Sequence, residues 1–79
     1  MKEQILALLE DVLPQIDFTG DALVDSGALD SLSLVTVIGE LSMEYGINVP
    51  YEEIKPENFN SLDAIVALAE RLAGGQKGH

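Results

Sequence analysis

Apolar residues recur along the first thirteen positions at the spacing of a helix. Ile5, Leu8, Leu9 and Val12 share one face and Leu6 and Leu13 widen it, which predicts a helix over 2–13. Pro14 has no N–H to continue that helix. Residues 15–30, "QIDFTGDALVDSGALD", are rich in Gly, Asp, Ser and Thr and show no period. Five apolar residues, Ile16, Phe18, Leu23, Val24 and Leu29, are spread through this stretch and predict a long ordered loop pinned to a core. A second helix is predicted over 31–45. At about 100° per residue, Leu34, Ile38, Leu41 and Tyr45 share its buried face, and Gly46 is placed for a left-handed cap. Pro50 can open a short helical turn at its first position, and Pro56 ends or interrupts it. The last helix is predicted over 61–72, with Asn60 as N-cap, Asp63 in the first turn and a stripe of Leu62, Ile65, Val66, Ala69 and Leu72.

No segment alternates with period 2, and there are no internal repeats. The expected fold is therefore all-α: a small four-helix bundle of three main helices plus one short helix, with a long ordered loop between helices 1 and 2. The 79 residues form one domain, expected over 1–73, and the Gly-rich 74–79, with nothing to bury, is expected to be a disordered tail.

Composition narrows the chemistry. With no cysteine there is neither a disulfide nor a thiolate metal site, which fits a reducing cytoplasm. Hydrophobic residues at 47% are too many for a disordered chain. Fourteen acids against four Lys or Arg give a formal net charge of -10, which repels nucleic acid and anionic lipid and attracts basic patches on other proteins. No run reaches the ~18 apolar residues of a membrane span, and the N-terminus has acids inside its apolar region and no small-residue cleavage site, unlike a signal peptide. A cytoplasmic monomer is expected. Asp17, Asp21 and Asp25 are spaced four apart, not in the alternating pattern of a calcium loop, and no metal site is expected.

The remaining feature is the triplet Asp30-Ser31-Leu32 where the second helix begins. A nucleophilic serine needs a base within hydrogen-bond reach. The one histidine, His79, ends the Gly-rich tail, the lysines Lys2, Lys55 and Lys77 lie in no apolar pattern, and a small bundle leaves little room for a cleft. Catalysis by the chain alone is not expected. Taken locally, Asp30 or Ser31 is a helix cap. The long loop before it, however, leaves Ser31 accessible, and a helix start offers free N–H groups and a positive dipole end that suit a phosphate.

Residues 25–50, "DSGALDSLSLVTVIGELSMEYGINVP", resemble the phosphopantetheine carrier proteins, whose shared signature is Asp-Ser-Leu at the start of the second of four helices. The resemblance covers about residues 5–72. It implies that Ser31 carries 4'-phosphopantetheine through a phosphodiester, that Asp30 assists recognition by the attaching transferase, and that Leu32 touches partner enzymes. A separate phosphopantetheinyl transferase would modify the serine, so no activating base is needed. An acyl or aminoacyl group would then ride as a thioester, loaded by a ligase and passed to a synthase or transferase.

The implied function is an acyl carrier protein, as in fatty acid biosynthesis. "GALDSL", "GINVPYEEI" and "ENFNSLDAIVAL" look instead like the D-alanyl carriers of teichoic acid modification, and a peptidyl-type carrier is a further alternative. A competing class is an acidic helical interaction module in which Ser31 is only a cap. Fatty-acid carriers usually bear several acids on the second helix. Here Leu32, Thr36, Gly39 and Met43 lie opposite the buried face, with Glu40 beside them, and form the expected partner surface.

Overall fold

The computed structural model describes residues 2–77, with side chains described through residue 73. Among the described residues there are four α-helices and no strand: α1 (Lys2–Val12), α2 (Ser31–Tyr45), α3 (Pro56–Phe59) and α4 (Leu62–Lys77), with a 3-10 turn at Tyr51–Glu53 between α2 and α3. The all-α bundle expected from the apolar spacing is what forms. α4 runs to Lys77, past the end expected at 72, so the backbone of 74–77 within the expected tail is helical, while Gly78 and His79 lie outside the described residues.

One core joins the four helices and the long loop. Ile5 and Leu9 of α1, Val37 and Leu41 of α2, Phe59 of α3 and Ile65, Leu68 and Ala69 of α4 are all buried in it. α4 packs on α1 and α3, and α1 packs on α2. Each large side chain fully buried there contributes roughly 1.5–3 kcal/mol. Among the described residues no polar or charged residue is buried, and no buried side-chain N or O lacks a hydrogen bond. The side chains of the interior are therefore apolar, and they cohere by packing.

The long loop is ordered, and its anchors are the expected ones. Ile16, Phe18, Leu23 and Leu29 are buried, and Val24 packs against the core at its edge. Gly46 ends α2 in the left-handed region at φ 66°, its N–H bonded to the Ser42 carbonyl at 2.9 Å.

Four local expectations need correction. α1 stops at Val12, one residue early: Pro14 disfavours helical geometry at the residue before it, although the Leu13 N–H still reaches the Leu9 carbonyl at 2.8 Å. Pro50 is the N-cap of the 3-10 turn rather than its first residue, and Pro56 opens α3 at a position where a missing N–H costs nothing. Asn60 does not cap α4. Ser61 does, its Oγ accepting the Ala64 N–H at 3.0 Å. On α2 the fully buried positions are Val37 and Leu41, while Leu34, Ile38 and Tyr45 pack at the core's margin. A helical wheel gives the apolar arc, but the neighbouring elements decide its centre.

Candidate functional site

Asn60, released from capping, fastens the loop that delivers Ser31. Its Oδ1 accepts the N–H groups of Val24 (2.9 Å) and Asp25 (3.1 Å), and its Nδ2 donates to Asp25 Oδ2 at 3.0 Å. Its carbonyl accepts the Leu23 N–H at 2.8 Å. Leu23 in turn accepts the Leu29 N–H at 2.8 Å, so the buried Leu29 is fixed one residue before the helix cap. Gly27, at φ 87°, makes the turn between them in a conformation that side chains rarely adopt. Ser26 is exposed but tied into this loop, its Oγ donating to the Leu23 carbonyl and accepting the Ala28 N–H.

Asp30 is the N-cap of α2. It sits in extended backbone (φ -83°, ψ -176°), and its Oδ1 accepts the Ser33 N–H at 2.8 Å. The Ser33 backbone N–H, and after it the Ser33 hydroxyl, hold the Asp30 carboxyl below the usual carboxylate range. Ser31 is thus the first helical residue and not the cap. It is exposed, and its hydroxyl makes no hydrogen bond with any described residue. Nothing there raises its nucleophilicity. An exposed, unpartnered alcohol at the positive end of a fifteen-residue helix is suited to receive a phosphate-linked group delivered by another protein.

The structure brings the expected partner residues to one side of α2. Leu32 is 80% exposed and Met43 81% exposed, with Thr36, Gly39 and Glu40 half-buried between and beside them. The Thr36 hydroxyl donates back to the Leu32 carbonyl at 3.0 Å, so its proton is committed to the helix itself. Sequence reasoning missed Val35, 67% exposed on the same side, although its place one turn after Leu32 was the available signal. Tyr51, 87% exposed in the 3-10 turn, is a further large apolar side chain facing water.

The bundle does hold an open cleft, of about 490 Å³, between α1, the start of the long loop and the start of α4. Leu6, Phe18 and Leu62 line it with Lys2, Asp21 and Asp63, and Lys2 is paired with Asp63 at 2.7 Å. Ser31 and the α2 face take no part in it. Among the described residues no three His, Cys, Asp or Glu side chains converge as metal ligands. No described helix is long and apolar enough to cross a membrane.

The class defined by fold and site is a small helical bundle with an exposed serine in the first turn of its second helix, directly after an aspartate cap. The family described as "phosphopantetheine attachment site" matches residues 3–70. The chain belongs to that family, and its cofactor is covalently attached 4'-phosphopantetheine. Curated relatives are D-alanyl carrier proteins. Those of Leuconostoc citreum (strain KM20) and Leuconostoc mesenteroides subsp. mesenteroides are 30% and 32% identical, covering 94% of this chain and 97% of each relative. That of Streptococcus pyogenes serotype M1 is 38% identical, covering 81% of this chain and 77% of the relative. No solved structure matches.

Proposed function

We propose that this protein is an aminoacyl carrier of the D-alanyl kind, with Ser31 as its attachment residue. The observation that carries the reading is the similarity to D-alanyl carriers along almost the whole length of both chains, which includes the exposed triplet at the start of α2. The accessible, unpartnered hydroxyl of Ser31 fits a phosphodiester, and the α2 N-terminus supplies partial positive charge beside it. When attached, the arm supplies a thiol on which cargo is held as a thioester. The chain's own work is positional. Asp30 fixes the helix start and presents a carboxylate to the transferase that installs the arm. Leu32, Val35, Thr36, Gly39 and Met43, with Glu40 at the edge, form the surface on which the loading ligase and the acceptor enzyme dock. In this reading the transfer steps belong to those partners.

Co-expression with a broad phosphopantetheinyl transferase, followed by intact mass, tests attachment. Incubating the holo protein with ATP and a D-alanine-loading ligase, or with a fatty-acid-loading ligase, tests cargo. A mass increase of one alanyl residue with the first enzyme and none with the second is expected. The opposite pattern replaces the D-alanyl reading with that of a fatty acyl carrier.

A further inference from the structure

Gly39 lies at the middle of α2, between Leu32 and Met43 on the exposed side. A glycine inside a helix costs roughly 0.5–1 kcal/mol relative to alanine, because it loses more backbone freedom on folding. Such a residue is normally retained for a positive φ or for a close approach inside the molecule. Neither holds here. Positive φ occurs only at Gly27 and Gly46 among the described residues, and beyond its chain neighbours and its own helix backbone a Cβ on Gly39 would meet no heavy atom within 4 Å. The helix is continuous through it from Ser31 to Tyr45, so it marks no break.

Its surroundings say what the empty space suits. Leu32, Val35 and Met43 stand exposed around it, and the Thr36 hydroxyl is bonded back to the helix. The middle of this face is uncharged in a molecule of net charge -10, with Glu40 at its edge and Glu44 in the next turn. The complementary surface is apolar at its centre and basic at its rim.

We propose that Gly39 is a notch that receives an apolar side chain of the loading ligase, packed against the bare α2 backbone between Leu32, Val35 and Met43, with a basic residue of the ligase beside Glu40. This deepens the docking role given to α2 above and rests on it. Absence of a Cβ lets the ligase approach the helix backbone more closely than any other residue would allow, so Gly39 sets which ligase surface fits.

The test uses the full chain carrying its arm. D-alanine-loading and fatty-acid-loading ligases are first tried on the wild type, and the one that charges it is used for all variants. Gly39→Ala should melt about 3–6 °C above the wild type, from helix propensity alone, yet load with a raised KM. Gly39→Leu should raise KM tenfold or more at little-changed kcat. Ala67→Leu, the same enlargement at an exposed position on α4, should load within twofold of the wild type. Wild-type KM for Gly39→Leu overturns the notch, as does an equal rise for Ala67→Leu. A lower melting temperature for Gly39→Ala overturns it too, because the glycine would then serve its own chain. Charging by the fatty-acid ligase overturns the D-alanyl reading and leaves the KM comparison to decide the notch; charging by neither overturns both.

Discussion

Ser31 and Asp30 divide two roles that a short motif runs together. Asp30 carries the cap, with its Oδ1 on the Ser33 N–H, and the Ser31 hydroxyl makes no hydrogen bond with any described residue. Ser31→Ala should therefore leave the melting temperature within about a degree, since Ala is the better helix former, while abolishing the phosphopantetheine increment in intact mass. An increment that survives, at Ser26, Ser33 or Ser42, would move the attachment residue. Asp30 separates by substitution. Asp30→Ala should lower the melting temperature by several degrees at pH 7. Its folded carboxyl titrates below the unfolded value of about 4, so its contribution is full above that pH and is lost as pH falls through the lowered folded value. The gap between wild type and Asp30→Ala should accordingly shrink in melts near pH 3. Asp30→Asn keeps a capping side chain but removes the charge, and should fold normally while slowing modification by the transferase. At this scale the sequence placed the helix cap at Asp30 or Ser31, because capping preference is local. Whether Asp30 or Ser31 held the cap depended on backbone geometry that composition does not specify.

α1, α2 and α4 were legible as elements because each carries its own apolar arc over several turns, and the loop's anchors were legible because they are apolar residues in an otherwise polar stretch. Asn60 was misread for a physical reason. Its position before an apolar-striped helix matches a cap, but a neighbour thirty-five residues earlier in the chain, Asp25, competes for the same side chain. Asn60→Ala removes three side-chain hydrogen bonds on a half-buried group, at a net cost of about 1–3 kcal/mol. Urea denaturation should show that loss, and hydrogen exchange should show faster exchange at the Val24 and Asp25 amides than at Leu41 in the core. Equal acceleration at all three would mean that the loop and bundle open as one unit. On the other side of α2, Met43 is exposed, so Met43→Glu should fold like the wild type by circular dichroism. It should load poorly, since burying a Leu or Met is worth roughly 1.5–3 kcal/mol and an exposed ion pair about 0–1 kcal/mol. Glu40→Gln should change mainly the association rate, and less at high salt. Normal loading by Met43→Glu with a crippled Glu40→Gln would make docking ionic.

Across the whole molecule the dominant unbalanced quantity is charge. Three ion pairs are formed among the described residues, Lys2–Asp63, Lys55–Glu57 and Arg71–Glu53, and they engage three of the four basic residues against fourteen acids. The firmest is Arg71, whose two guanidinium bonds to Glu53 (3.1 and 3.2 Å) hold that carboxyl below its usual range, with burial opposing them less strongly. Most acids have no basic partner among the described residues, and their mutual repulsion acts against the compact state. Its reach decides the size of the effect. The radius of gyration is 11.6 Å. At 0.01 M salt the screening length is about 30 Å, so every acid acts on every other; at 0.1 M it is about 10 Å, and repulsion is confined to near neighbours. Screening also weakens the three ion pairs, but each has an exposed basic partner and is worth about 1 kcal/mol, and they are few. The sum favours salt. The melting temperature should rise steadily between 0.01 and 0.15 M NaCl, and melts in MgCl₂ at matched ionic strength should follow the same curve if screening alone operates. A midpoint that stays flat or falls would show that the acids are already compensated within their own neighbourhoods, and a magnesium curve lying well above the sodium one would show that carboxylates hold the divalent ion directly.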